Sequence, residues 1–272
     1  MDKSDSEAKR GAAALAVRRH RDGECRADQD RVAEETPVAL VFNGISHAVM
    51  MATPLDLEQL AIGFALTEGI VSRAAEIFDV EAEFVCGGAE VRLEIAQPAF
   101  LALKDKRRSL AGRTGCGVCG IESLGLLDLQ PERLSSPRMR ADAAAISRAA
   151  SELPRWQALM KETGGVHAAA WCAPAGEVLR VFEDVGRHNA LDKLIGQLTR
   201  DGEDMGRGFV FMSSRASYEL TRKCARMGIP LLATISAPTS LAVDIARQAG
   251  MTLASFCRQN GFVEYTADDA QA

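Results

Sequence analysis

Much of what would point to a common function class is missing from this sequence. Aromatic residues make up only 5% of its 272 residues, with two Trp and two Tyr. That is too few for a surface that stacks the successive bases of a single strand. Positive charge is not in excess: 37 Asp and Glu against 32 Lys and Arg give a net charge of −5. The balance argues against a nucleic-acid binder, while leaving room for a local basic pocket for one anionic ligand. No apolar run reaches the roughly 18 residues needed to span a bilayer, so no membrane association is expected. The stretch from Met1 to Ala33 is charged and lacks the apolar centre of a secretory signal. Neither G-x-G-x-x-G nor G-x-x-x-x-G-K-[ST] occurs, which leaves a standard dinucleotide fold and a P-loop unsupported. The four histidines (His20, His47, His167, His188) form no H-x-x-x-H pair and there is no second C-x-x-C. A zinc site needs three or four ligands, and no metal site is expected.

What is present is enough apolar residue, 47%, to bury a core in one large or two ordinary domains. Seven cysteines, an odd number without a small-scaffold pattern, suggest a reducing cytoplasm. Cys25 lies in the N-terminal stretch. Cys86, Cys172, Cys224 and Cys257 are scattered, and burial as small hydrophobes is the default for such residues.

The remaining two, Cys116 and Cys119, stand in C-x-x-C spacing among Gly115, Gly117 and Gly120, with Arg113 just before them. Glycines at this density carry a high cost in backbone entropy. They permit positive φ and bring bare N–H groups close to whatever sits on the sulfur, as in an anion-binding concavity. Such groups and Arg113 would stabilise a thiolate or persulfide, and thiolate character makes a cysteine reactive. The pattern points to sulfur chemistry on a loop. C-x-x-C by itself also describes half of a zinc site, a dithiol redox pair or a structural disulfide. The pair sits between a basic run, Lys104 to Arg108, and a helix-poor segment ending near Pro137, not at the start of a βαβ unit.

Along the chain, residues 1–35 read as a solvated, disordered tail. Val38 to Phe42, the turn Asn43-Gly44 and Ile45 to Met51 form a hairpin, because both turn positions tolerate positive φ. Thr53-Pro54 suits a helix start, Leu57, Leu60, Ala61, Phe64 and Ala65 make one apolar face, and Gly69 stops the helix. Val80 to Val85 and Val91 to Ile95 form a second hairpin. Residues 36–140 are therefore expected as a small α+β domain ending in the cysteine loop, with the boundary marked by Pro131, Ser135, Ser136 and Pro137.

Residues 141–272 are expected as a second domain. Ala141 to Thr163 is helical and interrupted near Pro154. Val166 to Cys172 and Glu177 to Phe182 form a hairpin, with His167 a packed residue. The polar run from Glu183 to Asn189 crowds Asp184, Arg187, His188 and Asn189 at a strand-to-helix junction, where binding residues often sit. Then follow a strand at Phe209 to Met212, a helix to Met227, a strand at Leu231 to Ile235, a helix to Gly250 and a strand at Met251 to Phe256. This βαβαβ run implies a parallel sheet. Ligands of such sheets bind at the carboxyl ends of the strands, here Ser213 to Ser217, Ser236 to Ser240 and Phe256 to Gly261. The first two are hydroxyl-rich helix starts suited to phosphate. The third carries Arg258, Gln259 and Asn260, which can contact phosphate or a base edge.

The segment Gly-Cys-Gly-Val-Cys-Gly around Cys116 and Cys119 resembles the signature of the FdhD/NarQ family, the formate dehydrogenase accessory sulfurtransferases. Asp56 to Gly69, Asp184 to Lys193, Ser213-Ser-Arg215, Ile235 to Ser240 and Phe256-x-Arg258 are similar to family patterns in the same order. The resemblance covers about Thr36 to about Tyr265. It implies a two-domain protein, α/β in class and α+β overall, with a cytidine-deaminase-like C-terminal half. The zinc-deaminase signature, H-x-E with P-C-x-x-C, is absent. The implied activity is sulfur transfer through a cysteine persulfide, from a cysteine desulfurase to the molybdenum (or tungsten) cofactor bis(molybdopterin guanine dinucleotide), for a formate dehydrogenase catalytic subunit. On the family pattern Cys116 carries the persulfide and Cys119 assists or resolves. The cofactor-binding segment, for its guanine-nucleotide end, falls on Phe256, Cys257, Arg258, Gln259, Asn260 and Gly261. A cofactor with two guanine ends suits a two-fold homodimer. Two other readings stay open: a dithiol oxidoreductase, and a non-enzymatic chaperone for the cofactor.

Overall fold

The computed structural model describes residues 11–109, 130–135 and 138–267. Residues 12–33, read from the sequence as part of a disordered tail, form a long antiparallel hairpin of β1 (Ala12–Arg21) and β2 (Glu24–Ala33). Its turn is Asp22-Gly23, both at positive φ, 52° and 82°. Asp-Gly is a strong two-residue hairpin signal, and the charge around it masked that signal in the sequence. The hairpin is mostly exposed. Arg19 pairs across it with Asp28 at 2.7 Å, and Arg31 ties it to Glu162 on the body of the molecule.

A four-stranded sheet follows, from β3 (Thr36–Phe42), β4 (Ile45–Ala52), β5 (Ile77–Val85) and β6 (Gly88–Ile95), in the order β4-β3-β6-β5. Asn43 and Gly44 make the first turn at φ 44° and 77°, as expected. Val38, Leu40 and Phe42 alternate inward with Val91 and Leu93 of the parallel neighbour β6. On the outward side Arg92 gathers Glu83 at 2.7 Å, Glu90 at 3.0 Å and Glu81 at 3.4 Å.

The inner face is covered by α1 (Leu57–Thr67), nine of whose eleven residues are buried. The helix starts later than Thr53-Pro54 suggests. Asp56 precedes it in the left-handed region at φ 53° and provides no side-chain cap. Thr53 is engaged elsewhere: its N–H donates to Asp184 Oδ2 at 3.0 Å and its Oγ1 accepts from the Val185 N–H at 3.2 Å. A second helix, α2 (Gln97–Ser109), was not expected. It takes in the basic run from Lys104.

The larger sheet contains β7 (His167–Cys172), β8 (Val178–Asp184), β9 (Phe209–Met212), β10 (Leu231–Thr234), β11 (Thr252–Arg258) and β12 (Gly261–Glu264). Its order is β12-β11-β10-β9-β7-β8. The βαβαβ reading is borne out: β9, β10 and β11 are parallel neighbours, linked by α6 (Tyr218–Arg226) and α7 (Ser240–Ala249). Strand β12 is an unforeseen antiparallel return after the turn at Gln259-Asn260.

Alternating side chains feed two cores. Ala169, Trp171, Val210, Met212, Leu232 and Leu253 face α5 (Arg187–Arg200), α6 and α7. Ala168, Ala170, Phe209, Phe211, Leu231 and Ala233 face Ile146, Ala149 and Leu153 of α3 (Ala143–Trp156). The helical stretch breaks at Gln157, just past Pro154, before α4 (Ala158–Thr163). The whole is α+β, with an α/β C-terminal half. Among the described residues no helix is long and apolar enough to cross a membrane.

The two sheets are joined through α1 and α5. A Cβ on Gly63 of α1 would lie 1.9 Å from the Asp192 carbonyl oxygen, and one on Gly196 of α5 would lie 1.9 Å from that of Gln59. Each helix thus presses bare backbone onto the other. Two buried lysines lock this seam. Lys193 pairs with Asp184 at 2.7 Å and donates to the Thr53 carbonyl at 3.0 Å. Lys223 pairs with Asp192 at 2.8 Å and with Glu68 at 2.9 Å, and donates to Thr67 Oγ1 at 2.8 Å. Burial alone would push the Lys223 ammonium down, but the Asp192 and Glu68 carboxylates outweigh it and hold Lys223 above the ordinary lysine range.

Candidate functional site

Cys116 and Cys119 lie outside the described residues, between the end of α2 and Gln130. The other cysteines divide by burial. Cys172, Cys224 and Cys257 are fully buried, and burial raises their thiols, that of Cys257 to about 11. A thiol so raised is protonated at neutral pH and is neither nucleophile nor ligand. Cys86 is exposed at the β5–β6 turn, and Cys25 is exposed on the hairpin with its sulfur 3.6 Å from His20 Nε2.

The carboxyl ends of β9, β10 and β11 form one continuous edge. The Ser236 N–H donates to the Ser214 carbonyl at 3.3 Å, Ala216 to Ala237 at 3.2 Å, Thr239 to Ala216 at 3.0 Å and Phe256 to Ser236 at 3.4 Å. Several hydroxyls that suggest phosphate binding are engaged within the fold. Ser217 Oγ accepts from the Leu220 N–H and Thr239 Oγ1 from the Ala242 N–H, each capping its own helix. Ser213 Oγ accepts from the Ala168 N–H at 2.8 Å. What faces outward along this edge is Arg215, Ser236, Ser240, Phe256, Arg258, Gln259 and Asn260.

Within the last segment the residues differ in placement. Phe256 is 45% exposed and sits at φ 54°, a left-handed conformation that a bulky side chain adopts only under constraint. The irregularity between Ser255 and Arg258 in the pairing with β12 produces it. Cys257 points into the core beside Ile146, Ala149 and Leu153. Arg258 Nη1 donates to the carbonyls of Ile235 and Cys257, and the Gln259 carbonyl accepts from Ser147 Oγ at 2.5 Å. Asn260 and Gly261 are exposed at the turn. Ala150, Ile235, Cys257, Arg258, Gln259 and Asn260 line an open cavity of about 510 Å³.

The polar junction from Asp184 to Asn189 splits in two. Asp184 and Asn189 are buried and structural: Asp184 accepts from the Thr53 and Gly186 N–H groups and from Asn189 Nδ2. Arg187 and His188, partly exposed, open α5 on the outer side. His188 Nε2 lies 3.3 Å from Glu219 Oε2, and the bond from His188 pulls the Glu219 carboxyl down to about 2. Arg187 Nε is buried and meets no hydrogen-bond partner among the described residues. His167 belongs with them. It stands where β7 begins, beside the end of β9, where the Ser213 N–H donates to the Ala168 carbonyl at 3.0 Å. Burial first, then Arg187 and His188, push its imidazole below the usual histidine value, against Asp184. Sequence reasoning passed over Glu219, which reads as an ordinary first-turn acid of α6.

The two sheets and the helices between them define an α+β protein. A solved structure of a proposed formate dehydrogenase accessory protein from Desulfotalea psychrophila has this fold. It superposes with a TM-score of 0.72, covers 95% of this chain and 98% of that one, and is 24% identical. Sequence comparison is more specific. The chain is 76% identical over 259 residues to the sulfur carrier protein FdhD of Chromobacterium violaceum, covering 94% of this chain and 96% of the relative. It is 60% identical over 271 residues to the protein of the same name from Burkholderia mallei, covering 97% and 99%. The model of the FdhD/NarQ family matches residues 33–271. The chain belongs to the FdhD/NarQ family.

Proposed function

We propose that this protein is a sulfurtransferase that carries sulfur for the activation of a formate dehydrogenase. The observation that carries the reading is the near full-length identity to proteins named as sulfur carriers, in a chain with one C-x-x-C pair. The burial of Cys172, Cys224 and Cys257 supports it by leaving those thiols unfit for the task.

In the first step the Cys116 thiolate attacks the outer sulfur of a persulfide on a cysteine desulfurase. The donor's S–S bond breaks, the donor cysteine leaves as thiolate, and Cys116 becomes the persulfide. In the second step the outer sulfur passes to the metal of the substrate, bis(molybdopterin guanine dinucleotide) with molybdenum or tungsten. The metal supplies the electron pair, and Cys116 returns to thiolate. Cys119 assists or resolves. The guanine-nucleotide end of the substrate binds at Phe256 to Gly261, where the cavity of about 510 Å³, an exposed ring and the Arg258, Gln259 and Asn260 side chains offer stacking and hydrogen bonds. The protein acts in the cytoplasm as a homodimer.

Intact-protein mass after incubation with a cysteine desulfurase and cysteine tests the carrier. Wild type gains a reducible sulfur adduct, Cys116→Ala gains none, and Cys119→Ala retains it. Loss of the adduct in both variants favours a dithiol oxidoreductase. No adduct on any form, with cofactor still bound, leaves the protein a chaperone.

A further inference from the structure

The sulfur relay described above assigns no role to the junction that opens α5, where polar side chains come together. Groups converge there from three elements: His167 at the start of β7, Arg187 and His188 in the first turn of α5, and Glu219 in the first turn of α6. Of the two acids that end β8, Asp184 faces inward and is paired with Lys193 at 2.7 Å, and Glu183 accepts from the Leu159 and Met160 N–H groups at 2.8 and 2.9 Å. Among the described residues Glu219 is therefore the acid left to face Arg187 and two imidazoles, and it is bonded to His188 at 3.3 Å. Arg215, on the loop after β9, adds an exposed cation nearby on the same edge.

Arg187 Nε is the more telling feature. It is buried and no acceptor among the described residues meets it. A buried donor left unpaired costs roughly 1–3 kcal/mol, and folded proteins seldom carry one without a use. No side chain caps α5 at Gly186, so the positive end of that fourteen-residue helix faces the same place. Donors thus approach from a guanidinium, two imidazoles and the start of a helix. Convergence from several directions suits a tetrahedral oxyanion better than a planar carboxylate.

We propose that His167, Arg187 and His188 form an anion-binding subsite for a phosphate or diphosphate group. The identity of the rest of the ligand, a nucleotide, rests on the function proposed above. Strands β9 and β10 separate β7 from β11. The subsite therefore lies roughly 15 Å along the edge from Phe256 to Gly261, at about 4.8 Å per strand, a span that one extended dinucleotide can bridge.

The chain has four histidines, so histidine-resolved NMR reads the subsite directly. Inorganic diphosphate titrated into wild type shifts the His167 and His188 resonances saturably and raises the pKa of His167, because an anion favours the imidazolium. His20 on the hairpin and His47, packed against Phe42 and Phe64, stay still. Arg187→Gln and His188→Asn, whose undisturbed His47 resonance shows that they are folded, bind diphosphate about tenfold more weakly. Resonances of His167 and His188 that ignore diphosphate overturn the proposal.

Calorimetry with GDP and guanosine separates it from the nucleotide reading. Wild type prefers GDP, and Arg187→Gln loses that preference while keeping its affinity for guanosine. Equal GDP binding by wild type and Arg187→Gln overturns the subsite and leaves the nucleotide reading intact. A wild type that binds diphosphate through these histidines but neither guanosine compound keeps the subsite and removes the nucleotide reading.

Discussion

The seam between α1 and α5 and the carboxyl edge of the larger sheet are built from the same residue types, used in opposite ways. At the seam every buried charge has its counter-charge: Lys193 has Asp184, and Lys223 has Asp192 and Glu68. Backbones touch there through Gly63 and Gly196. At the edge Arg187 Nε has no partner among the described residues, Phe256 holds an unfavourable backbone conformation, and hydrophilic side chains face outward. One motif, Asp184 to Asn189, serves both regions: its first and last residues fasten the seam and its middle residues face the edge. The seam uses its polar groups to hold the fold, while the edge leaves Arg215, Arg258 and Asn260 exposed.

The contrast can be broken most forcefully at the seam. Lys193→Ala or Lys223→Ala strands a buried carboxylate and lowers the free energy of unfolding by about 3–5 kcal/mol, measured by urea titration. Replacing Lys223 and Asp192 together with Met and Leu costs less than either single change. Next comes overpacking. Gly63→Ala or Gly196→Ala forces the two helices apart and costs about 3 kcal/mol in the same assay.

Acid sharpens the comparison at intermediate strength. The folded-state carboxyls of Glu219 and Glu68 lie at about 2, below the usual glutamate value of 4.5. For Glu219 the bond from His188 is the largest cause; for Glu68 burial pushes upward, and the charges of Lys223 and Arg222 overcome it. A carboxyl depressed by folding adds stability above its unfolded pKa and loses it as pH falls toward the folded one. Stability is therefore expected to fall between about pH 4.5 and about pH 2. Glu219→Gln flattens part of that loss, and a pH–stability profile identical to wild type would contradict the assignment.

The smallest effect belongs to the edge. Phe256→Gly relieves the left-handed strain and leaves stability unchanged or about 1 kcal/mol higher. It weakens guanine-nucleotide binding in calorimetry, separating stability from recognition at one residue.

Much of this architecture could be read before any coordinates. The four-residue apolar runs of β9 and β10, bounded by serine, glycine and proline, announced parallel buried strands, and Asn43-Gly44 announced its hairpin. The N-terminal hairpin was missed because exposed two-stranded ribbons bury almost nothing, so their composition resembles that of a tail. The start of α1 was misplaced because Thr53 is a good cap by type but is claimed by Asp184 and Val185, 131 and more residues away. Nothing in the sequence singles out Lys193 and Lys223 as buried, since only tertiary partners reveal a buried lysine. At the candidate site the crowding of Asp184, Arg187, His188 and Asn189 was legible, but not which of them face inward. That division depends on which side of α5 meets α1.

Strand β5 ends the four-stranded sheet, with β6 on its inner side and no described strand beyond it. An unpaired strand edge is a template for joining another copy, and acids along it are one way to prevent that. Asp79, Glu81 and Glu83 alternate along β5 and point outward. Arg92 neutralises only part of that charge. Two copies that approach edge to edge through β5 therefore bring acid against acid. The sheet stays finite, and any self-association in solution is steered to another face of the molecule.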